Sequence, residues 1–145
     1  MSDSPEFDLG PLVGSWRIQS AGITWSDTGE RIEPFGSDPV GWMVLEPSGR
    51  IMFLFGKSDR QPPSSDADRA RLFDLTTAYS GRVRREGADR FITMVDLSLH
   101  PGMSGDQVRF FTLKGDSLIV RTPEQTLSQF GDRLLVADLV WRREH

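Results

Sequence analysis

Cysteine is absent from the 145 residues. With no thiol there is no disulfide framework, thiolate zinc site, iron–sulfur cluster or Cys nucleophile, and the composition suits a reducing, cytoplasmic compartment. Histidine is nearly absent: His100 is the one internal His and His145 ends the chain. That argues against a catalytic transition-metal centre or an axial-His haem, so neither metal nor cofactor is expected. Positive charge is not in excess, the formal net charge being -4, which provides no electrostatic footprint for nucleic acid or an anionic membrane. No apolar run is long enough for membrane insertion. The first ten residues are acidic and polar and lack the basic and apolar regions of a signal or transit peptide. A phosphate-binding glycine loop is also missing, because Gly102-Met103-Ser104-Gly105 has neither the spacing nor the following helix of a dinucleotide site.

What remains, 37% hydrophobic and 26% charged residues, describes one globular domain, and two will not fit. Residues 1–10 are expected to be disordered or loosely held, and 11–145 to form a single domain. Turn sequences at short intervals, such as Ser26-Asp27-Thr28-Gly29, Glu46-Pro47-Ser48-Gly49 and Lys114-Gly115-Asp116, set an all-β rhythm. Between the turns, segments 12–25, 40–45, 50–55, 77–84, 90–99, 107–114, 117–122 and 134–142 are rich in β-branched and aromatic residues and predict about eight strands. Segment 31–35 can pair back on 23–25, and the total then reaches about ten. One stretch departs from this rhythm. Gln61-Pro62-Pro63 stops a strand, and Ser64 or Ser65 can cap a short helix through Phe73 whose Ala67, Ala70 and Phe73 share a face. It reads as a connector over one edge or end of the sheet, with a moving lid as the alternative.

Consecutive strands joined by short turns favour antiparallel neighbours, and eight in a small chain must close or stack. Gly14-Ser15-Trp16 near the start and Trp141-Arg142-Arg143 at the end favour closure. First and last strands are neighbours in a barrel, where an Arg of the last can lie over Trp16 and plug one end, a cation–π contact of about 0.5–2 kcal/mol. The expected fold is therefore all-β, a closed antiparallel up-and-down β-barrel of eight to ten strands with one short helix.

Several stretches occur in a fixed order along the chain: Leu12-Val13-Gly14-Ser15-Trp16-Arg17, Pro34-Phe35-Gly36-Ser37-Asp38-Pro39-Val40-Gly41, Tyr79-Ser80-Gly81, Ser98-Leu99-His100-Pro101, Gly105 to Phe111, Leu113 to Leu118, Thr122-Pro123 and Leu139-Val140-Trp141-Arg142. In these the sequence resembles the small bacterial and fungal lipocalin-like domain proteins. The resemblance implies an antiparallel barrel enclosing a cavity for a small, mostly apolar molecule. Many members carry a His pair where this chain has Thr93 and Met94, so no His-dependent role carries over.

Strand parity suggests what the interior holds, since alternate side chains face inward. Leu118, Val120 and Thr122 share one face, as do Leu135, Ala137, Leu139 and Trp141. Gln107 and Arg109 share a face with Phe111 and Leu113. Either that face is internal, and Arg109 enters the cavity needing a carboxylate or anionic ligand, or Val108 and Phe110 point inward and Arg109 is solvated. In 90–99 the set Phe91, Thr93, Val95, Leu97 and Leu99 reads as core, leaving Asp96 and Ser98 outside. The alternative puts Asp96, Ser98 and His100 in the cavity, where a desolvated Asp96 of raised pKa becomes an acid or base, beside His100. Trp42 and Tyr79 can line the pocket through their aromatic faces.

The leading expectation is thus a carrier or sequestration protein binding a small hydrophobic molecule through Arg109, Gln107, Phe111, Tyr79 and Trp42, with no nucleic-acid partner and a homodimer allowed. The alternative is a cofactor-free isomerase, cyclase or hydrolase of secondary metabolism that uses the same cavity with Asp96 or His100.

Overall fold

Glycine and Asx turns divide the apolar stretches into nine strands in the computed structural model, which describes residues 8–145. They are β1 (Gly14–Trp25), β2 (Arg31–Ile32), β3 (Val40–Leu45), β4 (Arg50–Gly56), β5 (Thr76–Arg85), β6 (Arg90–Ser98), β7 (Gly105–Lys114), β8 (Ser117–Arg121) and β9 (Leu135–Arg143), with one helix, α1 (Asp66–Asp74), between β4 and β5. Every pairing is antiparallel between sheet neighbours. β9 also pairs with β1, from Trp16↔Arg143 to Trp25↔Leu135, so eight strands close into a barrel and β2 is an extra strand on β1. Expected 31–35 pairing is realised over two residues, Ile23↔Ile32 and Thr24↔Arg31. The rest of that segment leaves the sheet, and Phe35 turns into the core.

Two irregularities shape the interior. Gly41 faces Phe55 with φ +155, and a Cβ there would strike the Leu54 carbonyl, so only glycine allows β3 and β4 to approach this closely. Between β5 and β6 the register slips at Ser80/Gly81, leaving Asp96 as the extra residue of a bulge. A bulge reverses the in–out alternation beyond it. Phe91, Thr93 and Val95 accordingly face inward as expected, whereas Leu97, expected in the core, is 73% exposed.

The end of the barrel where β1 starts and β9 finishes is sealed. A 3-10 turn over Gly10–Leu12 lays Leu12 across it, and Trp16, with no exposed surface, donates from Nε1 to the Leu12 carbonyl at 3.0 Å. Of the segment expected to be loose, residues 1–7 lie outside the described residues, and Leu9 packs against the core. The other end is covered by connections. α1 begins with Ser65 Oγ accepting from the Asp68 amide at 3.1 Å, buries none of its residues and touches the barrel through Phe73, whose ring centroid is 4.3 Å from that of His100. The 99–104 and 122–134 connections complete this covered end.

Candidate ligand-binding cavity

Inward-facing aromatic residues of β4 and β5 meet those of β9 and leave a space between them. Phe53 lies 4.2 Å from Tyr79 and 6.3 Å from Trp141 between ring centroids, and Phe55 stands edge-on to Phe35 at 5.0 Å. Flat rings meeting at steep angles fill a barrel taper incompletely, and a cavity of about 80 Å³ remains. Its walls are overwhelmingly apolar. The polar groups facing it are Arg109, Tyr79, Thr77, Thr122, Gln125 and Gln129. No Asp, Glu or His lines it among the described residues.

Arg109 decides the character of the site. The face of β7 carrying Gln107, Arg109, Phe111 and Leu113 is the inner one, and Phe110 is exposed, which resolves the parity left open by the sequence. Arg109 is only 6% exposed. One of its N–H groups, on Nη1, donates to the neighbouring Val108 carbonyl at 2.7 Å. A guanidinium has five such donors, yet no other acceptor and no carboxylate within ion-pair reach engages it among the described residues. Its remaining donors are not fully enclosed by protein, and the residue lines the cavity. A buried cation in this position is stabilised by an anionic or strongly accepting partner placed in the cavity.

The other expected site residues separate. Tyr79 lines the cavity. Phe111 is buried beside Phe91, 5.7 Å between centroids, and forms core behind the cavity instead of its surface. Gln107 faces inward but stands at the mouth, where Nε2 donates to the Ser104 carbonyl at 2.9 Å. Trp42 corrects the expectation: β3 alternates with Met43 and Leu45 inward, so Trp42 is 44% exposed on the outside and donates from Nε1 to Glu144 at 2.9 Å. Asp96 also lies outside, at the bulge, with an Oδ2 2.6 Å from Arg50 Nη1. That hydrogen bond holds its carboxyl below the ordinary value, opposite to the raised pKa that the acid–base alternative needs. His100 is buried but sits above the mouth, where Nε2 donates to the Thr76 carbonyl at 2.8 Å. Asp96 and His100 are thus not brought together in the cavity.

Residues 122–130 contribute part of the lining that the sequence did not single out. Gln125 is held by paired backbone hydrogen bonds to Leu135 of 2.8 and 2.9 Å, and Phe130 stands edge-on to Phe35 at 6.4 Å. This segment has no strand periodicity, and only Thr122-Pro123 stood out in it.

From residue 13 to residue 144 the sequence matches a family model described as a lipocalin-like domain. No curated protein matches the chain. Among solved structures, the crystal structure of Rv2717c from M. tuberculosis is similar at 14% identity and a TM-score of 0.45, over 99% of this chain and 100% of that one.

Proposed function

The chain belongs to the lipocalin-like domain family, and from that premise we propose that it carries or sequesters a small, mostly apolar molecule bearing a carboxylate or comparably strong oxygen acceptor. The observation behind this reading is Arg109, nearly fully buried against an apolar cavity with one donor used. Planar guanidinium donors match a carboxylate in two parallel hydrogen bonds, while Phe53, Phe55 and Tyr79 supply apolar wall. At about 80 Å³ the cavity favours a short chain or a single ring. A cytoplasmic place belongs to the same reading, on the absence of cysteine.

Titration of phenylacetic and hexanoic acids against their methyl esters tests it. Acids should bind at least about 10-fold more tightly, the value of a hydrogen bond to a charged group, and Arg109→Met should remove the preference. Equal binding of acids and esters would sink the reading.

A homodimer is supported by a separate feature, an apolar face on the outside of the barrel. Trp42, Val44, Met52, Leu54 and Leu97 are each 43–73% exposed and adjoin through the pairs Trp42↔Leu54, Val44↔Met52, Met52↔Ser80 and Ser80↔Leu97. Met94 and Leu99 are exposed as well, and a contiguous apolar face of this kind marks an interaction surface. A two-fold axis sets such a patch against its own copy.

A further inference from the structure

Beyond the apolar cavity lies a second chamber of about 220 Å³, between the 99–104 connection and residues 125–129. The two spaces are neighbours, since Met103, Gln125, Leu127 and Gln129 border both. Their chemistry differs. The inner space has the Arg109 guanidinium and aromatic walls, whereas the outer one has no Asp, Glu, Lys or Arg among the described residues and adds Gln107 to two amides, Gln125 and Gln129, that stand between the two spaces. His100, its one ionisable neighbour, already donates from Nε2 to Thr76. Gln107 spends Nε2 on Ser104 and keeps its carbonyl oxygen. No hydrogen bond from a protein group engages the side-chain amides of Gln125 or Gln129 among the described residues, and both are half-buried. Partly desolvated amides without partners offer donors and acceptors together, which another amide, itself donor and acceptor, complements in full.

We propose that these amides form the outer half of a two-part site, whose ligand is a carboxylic acid with an apolar body and a neutral hydrogen-bonding group such as an amide close to the acid. The acid end of this assignment rests on the Arg109 reading above. Gln107 and Arg109 are two residues apart on one face of β7, which spaces their Cα atoms by about 7 Å. A neutral group that reaches these amides therefore sits a short chain away from the acid, and the apolar body extends inward.

N-benzoylglutamine carries that arrangement, and N-benzoylnorvaline lacks only the side-chain carboxamide while keeping the benzamide linkage common to both. By isothermal titration the wild-type protein should prefer the glutamine compound by about 3- to 30-fold, the worth of one or two neutral hydrogen bonds. A Gln125→Leu/Gln129→Leu variant should lose that preference and bind the two compounds alike, with its urea-unfolding midpoint reporting separately that it is folded. Arg109→Met should weaken both compounds. Equal binding of the two by the wild-type protein, or a preference that survives loss of both glutamines, overturns the outer half; if Arg109→Met still weakens both, the acid anchor stands. Failure of both compounds to bind, or indifference of both to Arg109→Met, overturns both readings.

Discussion

Arg143 lies over the face of Trp16, its guanidinium carbon 4.2 Å from the ring centroid. The same guanidinium donates to the Val13 carbonyl at 2.9 Å and the Pro11 carbonyl at 2.7 Å, so the last strand ties down the turn that seals the barrel. Trp16 brings the larger burial and Arg143 the directional contacts. Trp16→Ala should cost about 3–5 kcal/mol by urea unfolding. Arg143→Met, which keeps the apolar stem and loses the cation and two hydrogen bonds, should cost about 1–3 kcal/mol. A loss under about 1 kcal/mol for Trp16→Ala would show that the plug contributes little.

How far such contacts are legible beforehand depends on whether periodicity runs unbroken. On β3, β8 and β9 alternation is regular, and Met43, Leu118, Val120, Leu135 and Trp141 are inside as parity implies. On β6 it breaks at Asp96, because a bulge depends on the partner strand: a Cβ at Gly81 would strike the Met94 carbonyl, and nothing within 90–99 records that. Arg109 illustrates a different limit. Both faces of β7 carry apolar residues, so only closure of the barrel selects the inner one. Gln125 and Gln129 reach the site from the 122–134 connection, one at an isolated bridge to Leu135 and the other in a 3-10 turn over Ser128–Phe130, where strand parity does not apply.

Replacing Arg109 should separate stability from binding. In the unliganded protein its guanidinium is held in an apolar cavity with one donor satisfied, an arrangement that costs folding free energy. Arg109→Met should therefore raise unfolding stability by about 1–3 kcal/mol while removing acid binding. Lower stability instead would mean that the Val108 contact and stem packing outweigh the buried charge.

Asp96 and Arg50 pair on the outer surface, remote from the cavity lining. Asp96→Asn should alter ligand affinity less than about 2-fold. Its carboxyl is lowered from 3.8 by the Arg50 hydrogen bond, so its contribution to stability is present above that value and lost as the pH falls through the lower folded-state one. The difference between wild-type and Asp96→Asn stability should accordingly shrink below about pH 4. A fall in turnover of about 10² or more on a substrate found by screening would instead give Asp96 the acid–base role.

The outer apolar face predicts self-association through β3 to β6. Among the described residues the barrel strands close on one another and the extra strand, β2, is two residues long, which favours copies meeting face to face. Sedimentation velocity at micromolar concentration should report a dimer, and Leu97→Glu or Leu54→Lys should produce monomer with an unchanged unfolding midpoint. A wild-type monomer at about 100 μM would remove the interface, since a patch of this size gains little from burial that weak.

Thr93 carries the last prediction. It is fully buried on the inner face of β6, and its Oγ1 is the buried side-chain oxygen without a hydrogen-bond partner among the described residues. It does not line the cavity, and the methyl Cγ2 already packs toward Gly81. Valine keeps the β-branched shape and replaces the hydroxyl with a methyl of similar size, relieving the cost of an unpaired polar group. Thr93→Val should raise stability by about 1–2 kcal/mol with ligand binding unchanged. Equilibrium urea unfolding alongside titration of phenylacetic acid checks both halves. Destabilisation would show that the hydroxyl has a partner in solution, an internal water being the simplest, and a change in affinity would place Thr93 within reach of the ligand.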